Sequence, residues 1–453
     1  MQFCISESIL IKMVKKIRNT GPICCRLRVP GSKSITNRAL ICAALSEKKT
    51  KLTGVLDSED TQVMIDALHS LGLQLMHNKE LAIIEIEGCG GRFPNRKAEI
   101  YTANSGTTAR FLTAALAATT GCDYRVYGKP RMHERPIGDL IAALQQLRCD
   151  IRSENGNDCP PVLIGKNGQF GGNASIAGNI SSQFLSALLM ATPISDSAVT
   201  LSVQGELVSV PYIHITLEVM RAFGVTVEAA DDFSQFSFEA DSGYGKKTAA
   251  ETFCYDIEPD ASAASYFFAA AAVTGGSATI DDLSHNSLQG DIDFCRCLEQ
   301  MGCRVQFADN STTVTGIGNK LRGITVDMNA ISDTVMTLGV VALFAEGATR
   351  ITNVGHIRHK ETDRIAALAC ELRKFGARVD EFADGLEIVP PEKFPENEIA
   401  IDTYDDHRMA MSFAVAGLRA PHVTIRNPEC VAKTYPRFFD DFEEYCQDSI
   451  VQE

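Results

Sequence analysis

The stretch GSKSITNRAL, residues 31–40, sets Ser32, Lys33, Ser34 and Arg38 where a glycine loop runs into an apolar segment. Two fixed cations and two hydroxyls at a helix start make an anion site. The first N–H groups of a helix are unpaired and carry the positive end of its dipole. Arg110, Arg131, Arg135, Lys360, Arg364, Arg408 and Lys433 stand at or near comparable positions. Any one of them alone reads as a capping or solvated charge. As a set they call for a polyanionic ligand, because bare helix N-termini repel cations. GSKS has no glycine immediately before its lysine, so it is not a P-loop, and NSGTTAR lacks GxGxxG. Neither loop supports nucleotide binding.

Three carboxylates lie close to these cations. Asp333 opens "SDTVMTL", Glu361 sits between Lys360 and Arg364 in "HKETDRI", and Asp406 precedes His407 and Arg408. The plain reading of Asp333 is a helix N-cap, and that of Glu361 a first-turn acid or an ion pair with a neighbour. The chemical reading is proton transfer by two carboxyls whose surroundings set their pKa values apart. His356 and His359 lack a third ligand for a metal, and the adjacent residues of DDHR do not form a hydrolase relay.

The elements that must position these groups repeat. Six units open at Ser34, Ser105, Ser182, Ser262, Asp333 and Asp406, spaced 71, 77, 80, 71 and 73 residues apart. Each begins with polar residues and an apolar helix, such as RFLTAALAA or SYFFAAAAV, followed by a strand and an amphipathic helix such as DLIAALQQL. Gly72, Gly224, Gly302 and Gly376 close units, with Arg148 in the second slot. A helix apolar all round is buried, and one unit cannot cover it alone. Two clusters of three units are therefore expected, with six helix N-termini facing one cleft.

Composition bounds the rest. A chain of 453 residues is too long for one ordinary core. The net charge of −14 argues against a nucleic-acid partner, and no apolar run reaches a membrane span. The start, MQFCISESILIKMVKKIRNT, carries its basic residues after its apolar patch. That is the reverse of a signal peptide, and it reads as a lead-in or an extension ahead of Met13. Fifteen cysteines without a CxxC point away from zinc and toward a reducing cytoplasm.

The ordered set GSKSITNR, NSGTTAR, PRMHERPIGDL, ISSQFLSALL, VSVPYIHIT, DASAASYF, SDTVMTL, HKETDRI, YDDHRMAMS and AKTYPRFF resembles the 5-enolpyruvylshikimate-3-phosphate synthase family from about residue 21 to 442. The resemblance implies an inside-out α/β barrel of two domains, three units each. One would span residues 32–258, the other 1–31 plus 259–453. It implies transfer of the enolpyruvyl group of phosphoenolpyruvate to the 5-hydroxyl of shikimate 3-phosphate, through a tetrahedral intermediate, in aromatic amino acid (chorismate) biosynthesis. No metal or organic cofactor is expected, and a monomer is the simplest assembly. Lys33, Ser34, Arg38, Ser181, Ser182, Gln183, Ser209, Tyr212, Asp333, His356 and Lys360 would hold shikimate 3-phosphate. Lys33, Asn104, Gly106, Arg131, Gln183, Arg364, Arg408 and Lys433 would hold phosphoenolpyruvate. Asp333, Glu361 and Lys33 would share the proton work.

Two positions depart from the family's commonest form. Phe111 stands where many members have proline, and His356 where many have asparagine. Gly106 is retained, which in this family leaves room for glyphosate. The sister family that uses UDP-N-acetylglucosamine typically carries a cysteine in its mobile loop and asparagine after the first lysine. Here the loop reads GKPRMHERP, and Ser34 follows Lys33. Retention of Asp333, Glu361 and Lys33 weighs against an inactive scaffold on the same repeats.

Overall fold

The computed structural model describes residues 14–195, 197–240, 242–246, 250–317 and 321–447; the lead-in ahead of Met13, and Met13 itself, lie outside the described residues. Among the described residues twelve α-helices follow in chain order. They are α1 Lys33–Leu45, α2 Glu59–Ser70, α3 Gly106–Ala117, α4 Gly138–Gln146, α5 Ser182–Ala191 and α6 Val210–Ala222. Then come α7 Ala261–Thr274, α8 Phe294–Gln300, α9 Val335–Val341, α10 Arg364–Arg373, α11 His407–Gly417 and α12 Phe438–Cys446. None is long and apolar enough to cross a membrane. The odd-numbered helices begin within two residues of the predicted openings. All but the first residues of α1 and Gln183 of α5 are buried in those of the first half, and α7, α9 and α11 are buried throughout.

Two hydrophobic cores result. One gathers residues from Ile35 to Ile257 around α1, α3 and α5. The other joins Ile17–Val29 to residues from Ala261 to Cys446 around α7, α9 and α11. Each unit covers its buried helix with the second helix and a small outer sheet. In the second unit Lys97–Tyr101 and Asp123–Tyr127 pair parallel, connected through α3, and Val162–Ile164 and Ile151–Ser153 add antiparallel strands. This order, one parallel pair then antiparallel strands, recurs in the other units. The chain is thus the expected two-lobed inside-out α/β barrel.

Three strands arrive from far along the chain. Thr252–Asp256 pairs with Lys49–Thr53, Cys24–Leu27 with Ser277–Ile280 of the fourth unit, and Val14–Lys16 with Thr424–Arg426 of the sixth. The chain crosses between the cores at a single place where two segments pair. Ser32 N–H donates to Glu258 at 2.9 Å, and Asp260 N–H donates to Pro30 at 2.9 Å. Gly31 is required there, since a Cβ would lie 1.8 Å from the Gly54 carbonyl oxygen.

The closing positions share one backbone state. Gly72, Gly224, Gly302 and Gly376 have φ between 86° and 110°, and Arg148 fills the same left-handed turn at φ 69°. Leu73, Cys149, Val225 and Cys303 then donate back to the last turn of the preceding helix, the bonding that ends a helix on a left-handed residue.

Candidate active site

All six buried helices present their N-terminal ends to one cleft between the lobes. Lys33 of α1, Gly106 of α3, Gln183 of α5, Ser262 of α7, Asp333 just before α9 and Arg408 of α11 line adjoining cavities there. Ser32, Ser105, Ser181, Asp260 and Asp406 cap their helices, each accepting from a backbone N–H of the first turn. Asp333 departs from the N-cap reading. It sits in the 3-10 turn Asn329–Thr334 ahead of α9, which leaves its carboxylate free to face the cleft.

Arg364, the first residue of α10, is the hub. Its guanidinium reaches Asp406 at 2.8 Å, Glu361 at 2.9 Å and Asp333 at 3.1 Å while only 2% of its side chain is exposed. Asp333 also accepts from Arg408 at 2.7 Å and from the Tyr212 hydroxyl at 3.0 Å. Glu361 faces Lys433 at 3.6 Å. Lys433 bonds across the cleft to the Asn104 carbonyl at 2.8 Å and to Asp60 at 3.2 Å, and Lys33 stands 3.9 Å from the other Asp60 oxygen. The lobes therefore touch over the cleft. Ser209 adds two further links, its N–H to Asn329 at 2.9 Å and its hydroxyl with the His356 ring at 3.3 Å.

Burial opposes a charge on Asp333, but Arg408, Lys360, Arg364 and Lys33 overcome it and hold the carboxyl well below the usual range. Glu361 behaves likewise: burial opposes ionisation, and Arg364, Lys433 and Arg135 outweigh it. Both carboxyls are held anionic, so the surroundings do not set their pKa values apart as the sequence led one to expect. Burial pushes Lys360 down, and it pushes His356 down to about 4. His407, fully buried beside Arg408, is also neutral.

Most of the expected site residues converge. Lys33, Gly106, Gln183, Asp333, Lys360, Glu361, Arg364 and Arg408 share one cavity wall, and Ser34 and Tyr212 line the crevice beside it. Ser181 and Ser182 open α5 next to Gln183, and Ser181 accepts from Gln183 N–H at 3.3 Å. Two residues are placed differently. Arg38 turns into the helix bundle, donating to Thr216 at 2.7 Å, Ser186 at 3.2 Å and the Ser34 carbonyl at 3.0 Å, with Phe111 packed 5.1 Å from it. Its helix turn points it inward, so it supports the floor of the site. Arg131 lies in the 3-10 turn Pro130–Glu134, pairs with Glu134 at 2.8 Å and reaches the Glu361 carbonyl at 3.3 Å.

Arg135, four residues on, takes the place in the cavity wall that the sequence reading gave to Arg131. It donates to the Asn104 carbonyl at 3.0 Å, and its buried Nε has no partner. Asp60 was likewise not singled out in the sequence. In SEDTQ it reads as an ordinary first-turn acid, and only the fold sets it between two lysines. Among the described residues no group of three His, Cys, Asp or Glu forms a metal site. A larger cavity at the far ends of α1, α3 and α5 gathers none of these groups.

Buried cations that outnumber their carboxylate partners at six helix N-termini bind polyanions, and two carboxyls within that field can move protons. The sequence matches the family model described as EPSP synthase (3-phosphoshikimate 1-carboxyvinyltransferase) over residues 17–442. A 3-phosphoshikimate 1-carboxyvinyltransferase of Laribacter hongkongensis is 47% identical over 425 residues, covering 92% of this chain and 97% of its own. The chloroplastic protein of that name in Arabidopsis thaliana is 45% identical and covers 92% of this chain and 81% of its own length. The solved EPSP synthase of Acinetobacter baumannii is similar at TM-score 0.75 and 25% identity, over 95% of this chain and 98% of that one.

Proposed function

The chain belongs to the EPSP synthase family, and from that premise we propose how its cleft divides the work of the reaction. The protein is an enzyme: it transfers the enolpyruvyl group of phosphoenolpyruvate to shikimate 3-phosphate in the shikimate pathway. The observation that carries the division of labour is the Arg364 hub, which holds Asp333 and Glu361 on either side of one cation.

In this reading Lys33, Ser34, Ser181, Ser182, Gln183, Ser209, Tyr212, Asp333, His356 and Lys360 hold shikimate 3-phosphate. Lys33, Asn104, Gly106, Gln183, Arg364, Arg408 and Lys433 hold phosphoenolpyruvate, joined by Arg135 in place of Arg131. Arg38 supports Ser34 from below. Asp333 takes the proton of the substrate 5-hydroxyl. Glu361 gives a proton to the methylene carbon of phosphoenolpyruvate, and the hydroxyl oxygen bonds to its C2. The tetrahedral ketal then returns a methyl proton to the Glu361 carboxylate and expels phosphate, which leaves with the proton held by Asp333, restoring the double bond and both carboxyls. Before the first step Glu361 must gain a proton. The phosphate and carboxylate of phosphoenolpyruvate supply the condition by neutralising Arg364, Lys433 and Arg135, the cations that hold Glu361 ionised. Closure of residues 32–258 on the remainder keeps water from the intermediate.

Glyphosate is expected to compete with phosphoenolpyruvate beside Gly106. All the named residues come from one chain, which supports a monomer, and the fourteen free cysteines among the described residues support a reducing compartment such as the cytoplasm. The test is phosphate release from purified protein with both substrates, with each omitted, and with UDP-N-acetylglucosamine as acceptor. Release requiring both shikimate 3-phosphate and phosphoenolpyruvate is expected. Release with the sugar nucleotide alone as acceptor would overturn the assignment.

A further inference from the structure

Behind Arg408 lies an acid that the scheme above does not use. Asp291, in the 3-10 turn Gly290–Asp293, is 6% exposed and lines the crevice between Lys33, Tyr212, Ser262 and Arg408. Its Oδ2 accepts from the Ser262 hydroxyl in a short bond, while its Oδ1 is buried with no partner. Ser262 in turn meets an Arg408 nitrogen at 3.4 Å, and that same nitrogen donates to Asp333 at 2.7 Å. Among the described residues Asp291 has no ion-pair partner.

The surrounding charges are unfavourable for a second anion. Asp333 faces Asp291 from the turn before α9, Asp260 from the cap of α7, and the Tyr212 hydroxyl from α6. Of the two cations lining the crevice, Arg408 of α11 is already committed to Asp333 and Lys33 of α1 stands 3.9 Å from Asp60, while Asp260 is taken by Ala263 N–H at 2.9 Å and Lys33 N–H at 3.0 Å. An ionised carboxylate with one bare oxygen in such a place is costly, whereas a carboxylic acid can donate or stay silent there. Burial first, and then the charge of Asp333, push its carboxyl up to about 7.

We propose that Asp291 is a neutral positioning residue that fixes Ser262 and, through it, the grip of Arg408 on Asp333. Below neutrality the acid leaves Arg408 on Asp333, where the base is oriented. As the pH rises and Asp291 ionises, its charge draws Arg408 and Ser262 toward itself and the base loses its anchor. The inference rests on the role of Asp333 given above.

The experiment is the pH dependence of kcat, with shikimate 3-phosphate and phosphoenolpyruvate saturating, for wild type, Asp291→Asn and Asp291→Ala, each first checked for a cooperative melt. Wild type is expected to lose turnover through a step near neutral pH. Asp291→Asn, which keeps the shape without the ionisation, should stay within about threefold of wild type below the step and show no step. Asp291→Ala should lose about tenfold or more below the step, the size of a lost hydrogen bond to a charged network, and show no step of its own. An unaltered step in Asp291→Asn, or a loss in Asp291→Asn as large as in Asp291→Ala, overturns the proposal. If Asp291→Ala does not melt cooperatively, the comparison of Asp291→Asn with wild type decides alone. A wild type without turnover at any pH would instead overturn the reading of the reaction itself.

Discussion

Gly106→Ala is the smallest change that reaches the proposed phosphoenolpyruvate site. A methyl there would lie 2.7 Å from an Arg135 guanidinium nitrogen and 3.1 Å from the Gln183 side-chain oxygen. To reach an ordinary 3.4 Å contact the guanidinium must retreat by about 0.7 Å, since 3.4 − 2.7 = 0.7. Arg135 can move, because it is the far end of a flexible side chain, but it is anchored at 3.0 Å on Asn104. The retreat removes about one charge-assisted hydrogen bond from the bound anion, worth ~1.5–3 kcal/mol, or about 10- to 100-fold. KM for phosphoenolpyruvate should rise by that factor in a phosphate-release assay. Inhibition by glyphosate should weaken as well, because the methyl occupies the same space. KM for shikimate 3-phosphate should change by less than about threefold, since of the two side chains the methyl meets only Gln183 also holds that substrate, and it needs to give by about 0.3 Å, from 3.1 to 3.4 Å. A phosphoenolpyruvate KM within about twofold of wild type would refute this placement of Arg135 and Gly106.

Other outcomes follow from the same geometry. Arg135→Ala should raise KM for phosphoenolpyruvate by about 10-fold or more, whereas Arg131→Ala, which removes a contact to Glu134 and to carbonyls, should cost less than about threefold; steady-state kinetics on both variants separates them. Binding of phosphoenolpyruvate to the complex with shikimate 3-phosphate should take up a proton at Glu361, seen by calorimetry near pH 6 in buffers of different ionisation enthalpy and absent in Glu361→Gln. Asp333 has a depressed folded pKa, so its contribution to stability is complete above the ordinary carboxylate range, near about pH 4, and fades as the pH falls toward the folded value. Asp333→Asn should therefore lower unfolding stability by ~3 kcal/mol at pH 7, because Arg364 and Arg408 are left short of a partner, and by about 1 kcal/mol less at about pH 3, below the ordinary carboxylate range; urea unfolding at the two pH values checks this.

The repeat made the fold legible, since six apolar helices at near-constant spacing have only one economical arrangement. The closing turns were legible too, and Arg148 in a glycine slot adopts the glycine backbone at φ 69°. The long-range pairings were not. Nothing local in Cys24–Leu27 or Thr252–Asp256 tells which strand each will join, because parallel neighbours are chosen by the packing of whole units. Most of the site was readable because it sits at helix starts. Arg131 and Arg135 could not be told apart from sequence, as the 3-10 turn between them decides which one faces the cavity. Asp60 escaped because its lysine partners come from α1 and from a segment 373 residues further on, 433 − 60 = 373. Asp333 looked like a cap, and the 3-10 turn that frees it has no distinct sequence mark.

The central claim is that Glu361 delivers the proton to the methylene carbon while Asp333 serves the hydroxyl. The most direct measurement is deuterium incorporation into the product's methylene group during turnover in heavy water, for wild type and Glu361→Gln, followed by proton NMR. Protonation and later loss of a methyl hydrogen should leave deuterium in the wild-type product. Glu361→Gln should incorporate it at least about 100-fold more slowly, in step with its loss of turnover. Incorporation by Glu361→Gln at the wild-type rate would contradict the account and move the acid to another group in the cleft.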